Sequence, residues 1–177
     1  MSLLEHIRLL SHYNQWMNRK LYATAARLSE DTLREDKKAF FGSVLGTLNH
    51  LMIGDIIWLQ RFATHPANHG ALEAVAGLKP PKSLDQILYP EFKALTRERE
   101  KLDDIIIDWC SELTETDLRH KLHYHNMKGQ PAVKELGSLV LHLFNHQTHH
   151  RGQATTLLSQ EGLDVGVTDL LALIPDA

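Results

Sequence analysis

The sequence predicts an all-α protein, a four-helix bundle with one long crossover connection. Apolar residues recur at helical spacing over four long stretches of the 177-residue chain. Helix-capping signals bound these stretches, and a segment rich in proline and glycine separates the second from the third. A chain of this length can bury one good core, so we expect a single domain over residues 1–177.

The first two helices are predicted from their ends and their apolar spacing. Ser2 followed by Glu5 is a capping-box pattern, which begins a helix predicted over residues 3–28. The second helix is predicted over residues 43–62. It is apolar on almost every side, so we expect it to be heavily buried.

The second half of the chain predicts two more helices and a break between them. Residues 63–82 form a long loop, either a cover for a site or a plain solvated connection. Ser83 with Gln86 resembles another capping box, which begins a third helix over residues 83–113. Pro90 either kinks this helix or marks its true start. Residues 120–131 predict a short hairpin or an irregular crossover, followed by a fourth helix over residues 133–161 and a short turn at 169–173.

Composition excludes several classes of function. A formal net charge of −3 provides no basic face for phosphates, so we expect no nucleic-acid partner. Glu5, His6 and Arg8 interrupt the apolar N-terminus, which is unlike a signal peptide, and no stretch is long enough to span a membrane. The one cysteine, Cys110, excludes an intrachain disulfide framework and is expected to be a buried small hydrophobe. We therefore expect a cytoplasmic protein.

Twelve histidines are the one excess in the composition. His146 and His150 are four residues apart, so they lie one above the other on a helix. By helical projection, His150 lies about 30° and His146 about 70° from the centre of the apolar stripe. His142 and His149 lie about 110° and 130° away, toward the edge or solvent. The inward pair predicts half of a transition-metal site, in preference to two hydrogen-bonded core histidines that would need other partners.

A third metal ligand has to come from elsewhere in the chain. His50 is the preferred candidate, because a histidine in a nearly all-apolar helix must find a polar partner. His6 and His12 of the first helix compete with it. His65 and His69 fall in the long loop, where we expect them to be solvated.

Three segments carry a resemblance to a known family: YNQWMN at 13–18, GTLNHL at 46–51 with Asp55 and Trp58, and HQTHHRGQ at 146–153. In this order they resemble the DinB-type (DNA-damage-inducible) metalloenzymes. The resemblance implies a four-helix bundle, usually a homodimer, in which His50, His146 and His150 bind a divalent metal, commonly zinc or nickel. An apolar stretch at 170–174 is a further reason to expect a dimer.

The resemblance also bears on the reaction. Related bundles include thiol-dependent S-transferases and an isomerase, which implies a small-molecule substrate and a low-molecular-weight thiol as cosubstrate. A metal-dependent hydrolase is the next expectation, and a non-catalytic, stress-related metal-binding protein is the alternative. A metal with an open coordination position favours an enzyme, whereas a closed four-ligand site favours a structural role.

Residues beside the histidines narrow the chemistry further. Residues 146–150 approximate the H-E-x-x-H of zinc peptidases, but Gln147 replaces the glutamate, and an amide cannot act as the general base. Arg151 is expected in a structural ion pair in preference to a substrate clamp. Asp55 either orients a ligand histidine or is a buried or capping carboxylate. His149 either contacts an outer partner or is solvated.

Overall fold

The computed structural model describes residues 2–176, and its architecture is the predicted all-α bundle. The helices are α1 (Leu3–Ala25), α2 (Glu30–Arg34), α3 (Val44–Phe62), α4 (Glu73–Ala76), α5 (Phe92–Glu112), α6 (Glu115–Leu118) and α7 (Leu136–Gln160). Strands β1 (Lys121–His125) and β2 (Pro131–Glu135) lie between α6 and α7, and 3-10 turns occupy Gly70–Leu72 and Leu170–Leu173. The four long helices are therefore α1, α3, α5 and α7.

The four long helices pack around one contiguous apolar core. Helix α1 packs against both α5 and α7, and α7 packs against α3. Helix α3 is buried along nearly its whole length, as its apolar sequence predicts. The facing pair α3 and α7 carries the histidines of interest. No helix within residues 2–176 combines the length and hydropathy that a membrane span requires.

The predicted start of the third helix at Ser83 is wrong. Residues 83–91 contain no α-helix, and α5 begins at Phe92. The Gln86 side chain accepts from the Lys82 amide at 2.9 Å, so it does not close a capping box with Ser83. Pro90 explains the difference, because proline disfavours the α conformation in the residue before it and cannot donate inside a helix. Pro90 thus marks the true start.

The other boundaries follow the predictions more closely. The Ser2–Glu5 capping box is confirmed, although α1 ends at Ala25 and the separate helix α2 follows. Residues 120–131 take the hairpin alternative, with Lys121 opposite Glu135 and His125 opposite Pro131. Because residues 133–135 pair with β1, α7 begins at Leu136 and not at 133. The predicted loop 63–82 holds a 3-10 turn and α4.

Candidate metal centre

Three imidazole nitrogens converge between α3 and α7. His50 on α3 and His146 and His150 on α7 form a group whose ligand atoms lie within 4.8 Å of one another. The Nε2 atom of His50 is 3.2 Å from Nε2 of His146 and 3.2 Å from Nε2 of His150. A tetrahedral ion about 2.0–2.1 Å from each nitrogen would hold them roughly 3.3–3.4 Å apart. The observed spacing therefore fits a metal site.

Hydrogen bonds fix which nitrogen of two rings is free to ligate. The Nδ1–H of His50 donates to the Leu84 carbonyl oxygen at 2.8 Å, and the Nδ1–H of His150 donates to Oε1 of Gln153 at 2.7 Å. With the proton on Nδ1, each Nε2 presents a lone pair. Two lone pairs 3.2 Å apart repel unless a cation or a proton lies between them. The tautomers thus prepare both rings as ligands.

His146 is held by close packing. Its Nδ1 is buried without a hydrogen-bond partner. A Cβ placed on Gly54 would lie 2.7 Å from Cε1 of His146, below any ordinary contact distance. The glycine on α3 is therefore what lets the imidazole approach the neighbouring helix so closely.

Burial keeps the three imidazoles neutral. It lowers the pKa of His50, against the opposing hydrogen bond to Leu84, and lowers the pKa of His150, against the bond to Gln153. Burial, with the neighbouring histidines, lowers the pKa of His146 to about 3. Neutral imidazole is the form that binds a metal. All three side chains are therefore in their ligating form at neutral pH.

An aromatic residue outside the helices covers the group. The ring of Phe41 stacks on His50, with centroids 3.8 Å apart and planes at 17°, and meets His150 edge-on at 5.4 Å. A Cβ on Gly46 would collide with the Phe41 carbonyl oxygen, so this glycine permits the close approach. Sequence reasoning missed Phe41, because it lies before α3 where no periodicity applies. The aromatic pair Phe40–Phe41 just before the Ser43 cap was the available signal.

Comparison with known proteins assigns the family. The sequence model of the DinB family matches residues 1–176. The chain belongs to the DinB family. It is 22% identical over 165 residues to Protein DinB of Bacillus subtilis (strain 168), across 90% of this chain and 88% of that protein. The crystal structure of a DinB-like protein from Bacillus cereus ATCC 10987 shares the fold, with a TM-score of 0.55 and 23% identity over 93% of this chain and 94% of that one.

Other histidines of this DinB protein lie outside the three-histidine group. His6 and His12, the competitors for the third position, are exposed on α1, and His142 and His149 are exposed on α7. The side chains of His65 and His69 are only 4% and 6% exposed, so the expectation that they are solvated is wrong. Turns at the end of α3 fold this part of the loop against α5 and α6.

Asp55 has a structural partner in this DinB chain. Its Oδ2 accepts from Nη1 of Arg99 at 2.6 Å, and Asp103 lies 2.8 Å from the other guanidinium nitrogen. All three side chains are buried. Asp55 is therefore a buried ion-pair partner and not the residue that orients a ligand histidine.

Arg151 and Gln147 face the core of the bundle. Arg151 is buried and donates to the side-chain oxygens of Asn14 and Gln147, so its expected ion pair is replaced by amide acceptors. Gln147 is fully buried and donates to the Leu51 carbonyl oxygen at 3.4 Å. Neither side chain belongs to the histidine group, and the amide of Gln147 offers no base there.

A cavity of about 330 Å³ lies beside a hydrogen-bond partner of one of the three histidines. Gln153, whose Oε1 accepts from His150, is one of its lining residues. Phe40 is another, and its ring packs edge-on against Phe41. The cavity therefore reaches the histidines indirectly, through Gln153, which contacts His150, and through Phe40, which contacts the Phe41 ring stacked on His50.

Proposed function

We propose that the protein is a divalent-metal-dependent enzyme of the DinB family that acts on a small molecule. The observation that carries the proposal is the 3.2 Å separation of Nε2 of His50 and Nε2 of His150, two rings whose Nδ1 atoms already have oxygen partners. Nothing in the hydrogen-bond pattern places a proton between these two Nε2 atoms. A cation held by both, and by His146, resolves the repulsion.

The donor set supports a catalytic role over a structural one. Among residues 2–176, no fourth His, Cys, Asp or Glu joins His50, His146 and His150. Structural zinc sites have four protein ligands, whereas catalytic sites keep one position open. A divalent ion bound by three neutral imidazoles retains its charge and lowers the pKa of a water or thiol that binds it. The cavity of about 330 Å³ beside Gln153, the hydrogen-bond partner of His150, offers a small molecule room near the group.

Thiol addition or S-transfer to an electrophile is the reaction we favour, with hydrolysis second. Within the described chain, no carboxylate lies in the group to remove a proton from water. A low-molecular-weight thiol, with an ordinary pKa of about 8.5, needs far less help to ionise than water, at about 15.7. Zinc and nickel are the metals we propose, because imidazole suits both.

We further propose a cytoplasmic homodimer. The support for the dimer is an apolar surface near the C-terminus, where Leu171 is 75% exposed and Val167 is exposed too. Contiguous exposed apolar patches often mark subunit contacts.

Metal analysis of the purified protein tests the proposal. Wild type should retain one zinc or nickel at this site, and the ligand variants His50→Ala, His146→Ala and His150→Ala should lose it. The controls His142→Ala and His149→Ala remove exposed imidazoles of the same helix that lie outside the donor set, and they should keep the metal. Wild-type metal content in the His146→Ala variant, corrected for any other site, would refute the ligand assignment.

Cobalt substitution then tests for the open position and for the reaction. A thiol added to the cobalt protein should produce sulfur-to-metal charge-transfer absorption in wild type and none in His146→Ala. The same thiols are then screened against electrophiles, with His146→Ala as the blank. A cobalt spectrum that no thiol or other small anion changes would indicate a closed site and favour the non-catalytic metal-binding protein.

A further inference from the structure

A second cluster of candidate metal-binding side chains lies where the long connection meets α6, and it shares no residue with the three-histidine group. We propose that His65, His69 and Asp117 bind a divalent transition metal, zinc by the chemistry of the donors, at a site separate from the three-histidine group. Their ligand atoms lie within 4.8 Å of one another. Two imidazoles with one carboxylate are donors that zinc accepts.

The first argument is that two ring nitrogens are buried and unpaired. Nε2 of His65 and Nε2 of His69 have no hydrogen-bond partner, although the two side chains are 4% and 6% exposed. Their rings stack with centroids 5.2 Å apart. Buried nitrogens without partners are costly and call for a specific explanation. A cation bound at these atoms supplies one.

The second argument is the carboxylate behind His69. Nδ1 of His69 faces Oε2 of Glu112 at 3.7 Å, and Oε1 of Glu112 accepts from the Ala71 amide at 3.1 Å. A carboxylate beside Nδ1 favours the tautomer that carries its proton there, which leaves Nε2 as the metal-binding nitrogen. Metal-bound histidines typically have such a partner.

Asp117 presents a free carboxylate oxygen to His65. Its Oδ2 accepts from both the backbone amide and the hydroxyl of Thr114, which closes the capping box of α6. Its Oδ1 lies 4.0 Å from Nε2 of His65, too far for a hydrogen bond. The cap therefore fixes the carboxylate and leaves one oxygen pointing at the histidines.

His65 makes this site weaker than the three-histidine group. Its Nδ1 accepts from the Ala67 amide at 3.2 Å, and binding through Nε2 would move the ring proton to Nδ1 and remove that bond. Separations of up to 4.8 Å also have to contract toward the roughly 3.3 Å that a tetrahedral ion imposes. We expect affinity lower than that of the three-histidine group by roughly tenfold or more.

Zinc stoichiometry in a background without the first site is the test. The double variant His50→Ala/His146→Ala should still bind one zinc per chain at low-micromolar free zinc, and zinc should raise its unfolding temperature. Adding His69→Gln should abolish both effects. Adding His120→Ala should change neither, since His120 contacts the His65 ring without belonging to the donor set.

Asp117→Asn is the second variant, because asparagine keeps an oxygen acceptor for the Thr114 cap while removing the charge. It should weaken zinc binding in the double-variant background without lowering metal-free stability as a lost cap would. If the double variant His50→Ala/His146→Ala binds no zinc, the proposal of a second site is overturned, and the proposal of the three-histidine site is unaffected. Zinc bound equally with and without His69 would overturn the second site too.

Discussion

Adding one methyl group beside His146 should damage the proposed metal centre without removing any of its three histidines. In Gly54→Ala, the new Cβ would lie 2.7 Å from Cε1 and 3.2 Å from Nδ1 of His146. Ordinary contact begins near 3.4 Å, so the ring must retreat by about 0.7 Å. Metal–ligand distances tolerate only about 0.2 Å of change. The required shift is several times that tolerance.

The expected loss of metal affinity is roughly 10- to 100-fold, comparable with removing an orienting partner of a ligand. This corresponds to about 1.4–2.8 kcal/mol of binding free energy. The extra methyl also overpacks the α3–α7 contact, at a cost of about 1–3 kcal/mol in the free energy of unfolding. Alanine offsets about 1 kcal/mol of that cost, because it favours a helix over glycine. Metal-free stability should therefore fall by no more than about 2 kcal/mol.

Competition titration with a metal-binding dye measures the affinity, and urea unfolding of the chelated protein measures the stability. The matched control is Gly152→Ala on α7, where a Cβ meets nothing within 4 Å. It should leave metal affinity unchanged and raise stability by up to about 1 kcal/mol. Wild-type metal affinity in Gly54→Ala would show that the position of the His146 ring does not determine binding.

Four further outcomes are expected. Gln153→Ala removes the acceptor of the His150 Nδ1–H and should weaken metal binding about tenfold by dye competition. Gln160→Ala, two turns further along α7, should not weaken it. Equal metal affinities of the two variants would contradict the role of Gln153. Removing metal with a chelator should preserve the helical circular dichroism signal at room temperature. Free metal at 100–1,000 times its dissociation constant should add roughly 3–4 kcal/mol to the free energy of unfolding. Loss of the helical signal on chelation would indicate an obligatory structural metal. The pKa of His146 is lowered from 6.5 to about 3 in the folded chain. Between these pH values the unfolded chain binds a proton at His146 and the metal-free folded chain does not. The free energy of unfolding should therefore fall as pH drops from about 6.5 toward 3, by at most roughly 4–5 kcal/mol. Urea unfolding should show that the free energy of unfolding falls less steeply with pH in His146→Gln than in wild type. Identical pH profiles of the two proteins would refute the lowered pKa of His146. Light scattering at micromolar concentration should give the mass of a dimer, and the mass of one chain would reject it.

Helical spacing was enough to predict the four long helices and the inward-facing pair on α7. Angles on a helix are fixed by 3.6 residues per turn, so the exposure of His142 and His149 follows from position alone. His50 could not be derived in this way, because α3 is apolar on almost every side and no stripe marks its inner face. Its selection depended on the need of a buried imidazole for a partner and on family resemblance.

The errors arose where the chain leaves regular structure. A capping pattern is local, so Ser83 and Gln86 could not reveal that the helix begins only after Pro90, at Phe92. The position of His65 and His69 in a loop does not predict whether they are buried. Their burial depends on how the loop packs against α5 and α6. Phe41 was missed for the same reason, since its contact with His50 is between side chains that no repeat relates.

The acceptor that orients His50 is a main-chain atom, the carbonyl oxygen of Leu84. Point substitutions at position 84 that preserve the backbone path would leave that atom in place. A deletion or insertion between α4 and α5 would displace it even with every histidine retained. Natural variation in the length of this connection would therefore separate relatives that can orient His50 in this way from relatives that only retain the three histidines. Alignments that score only the three histidines would not distinguish the two groups.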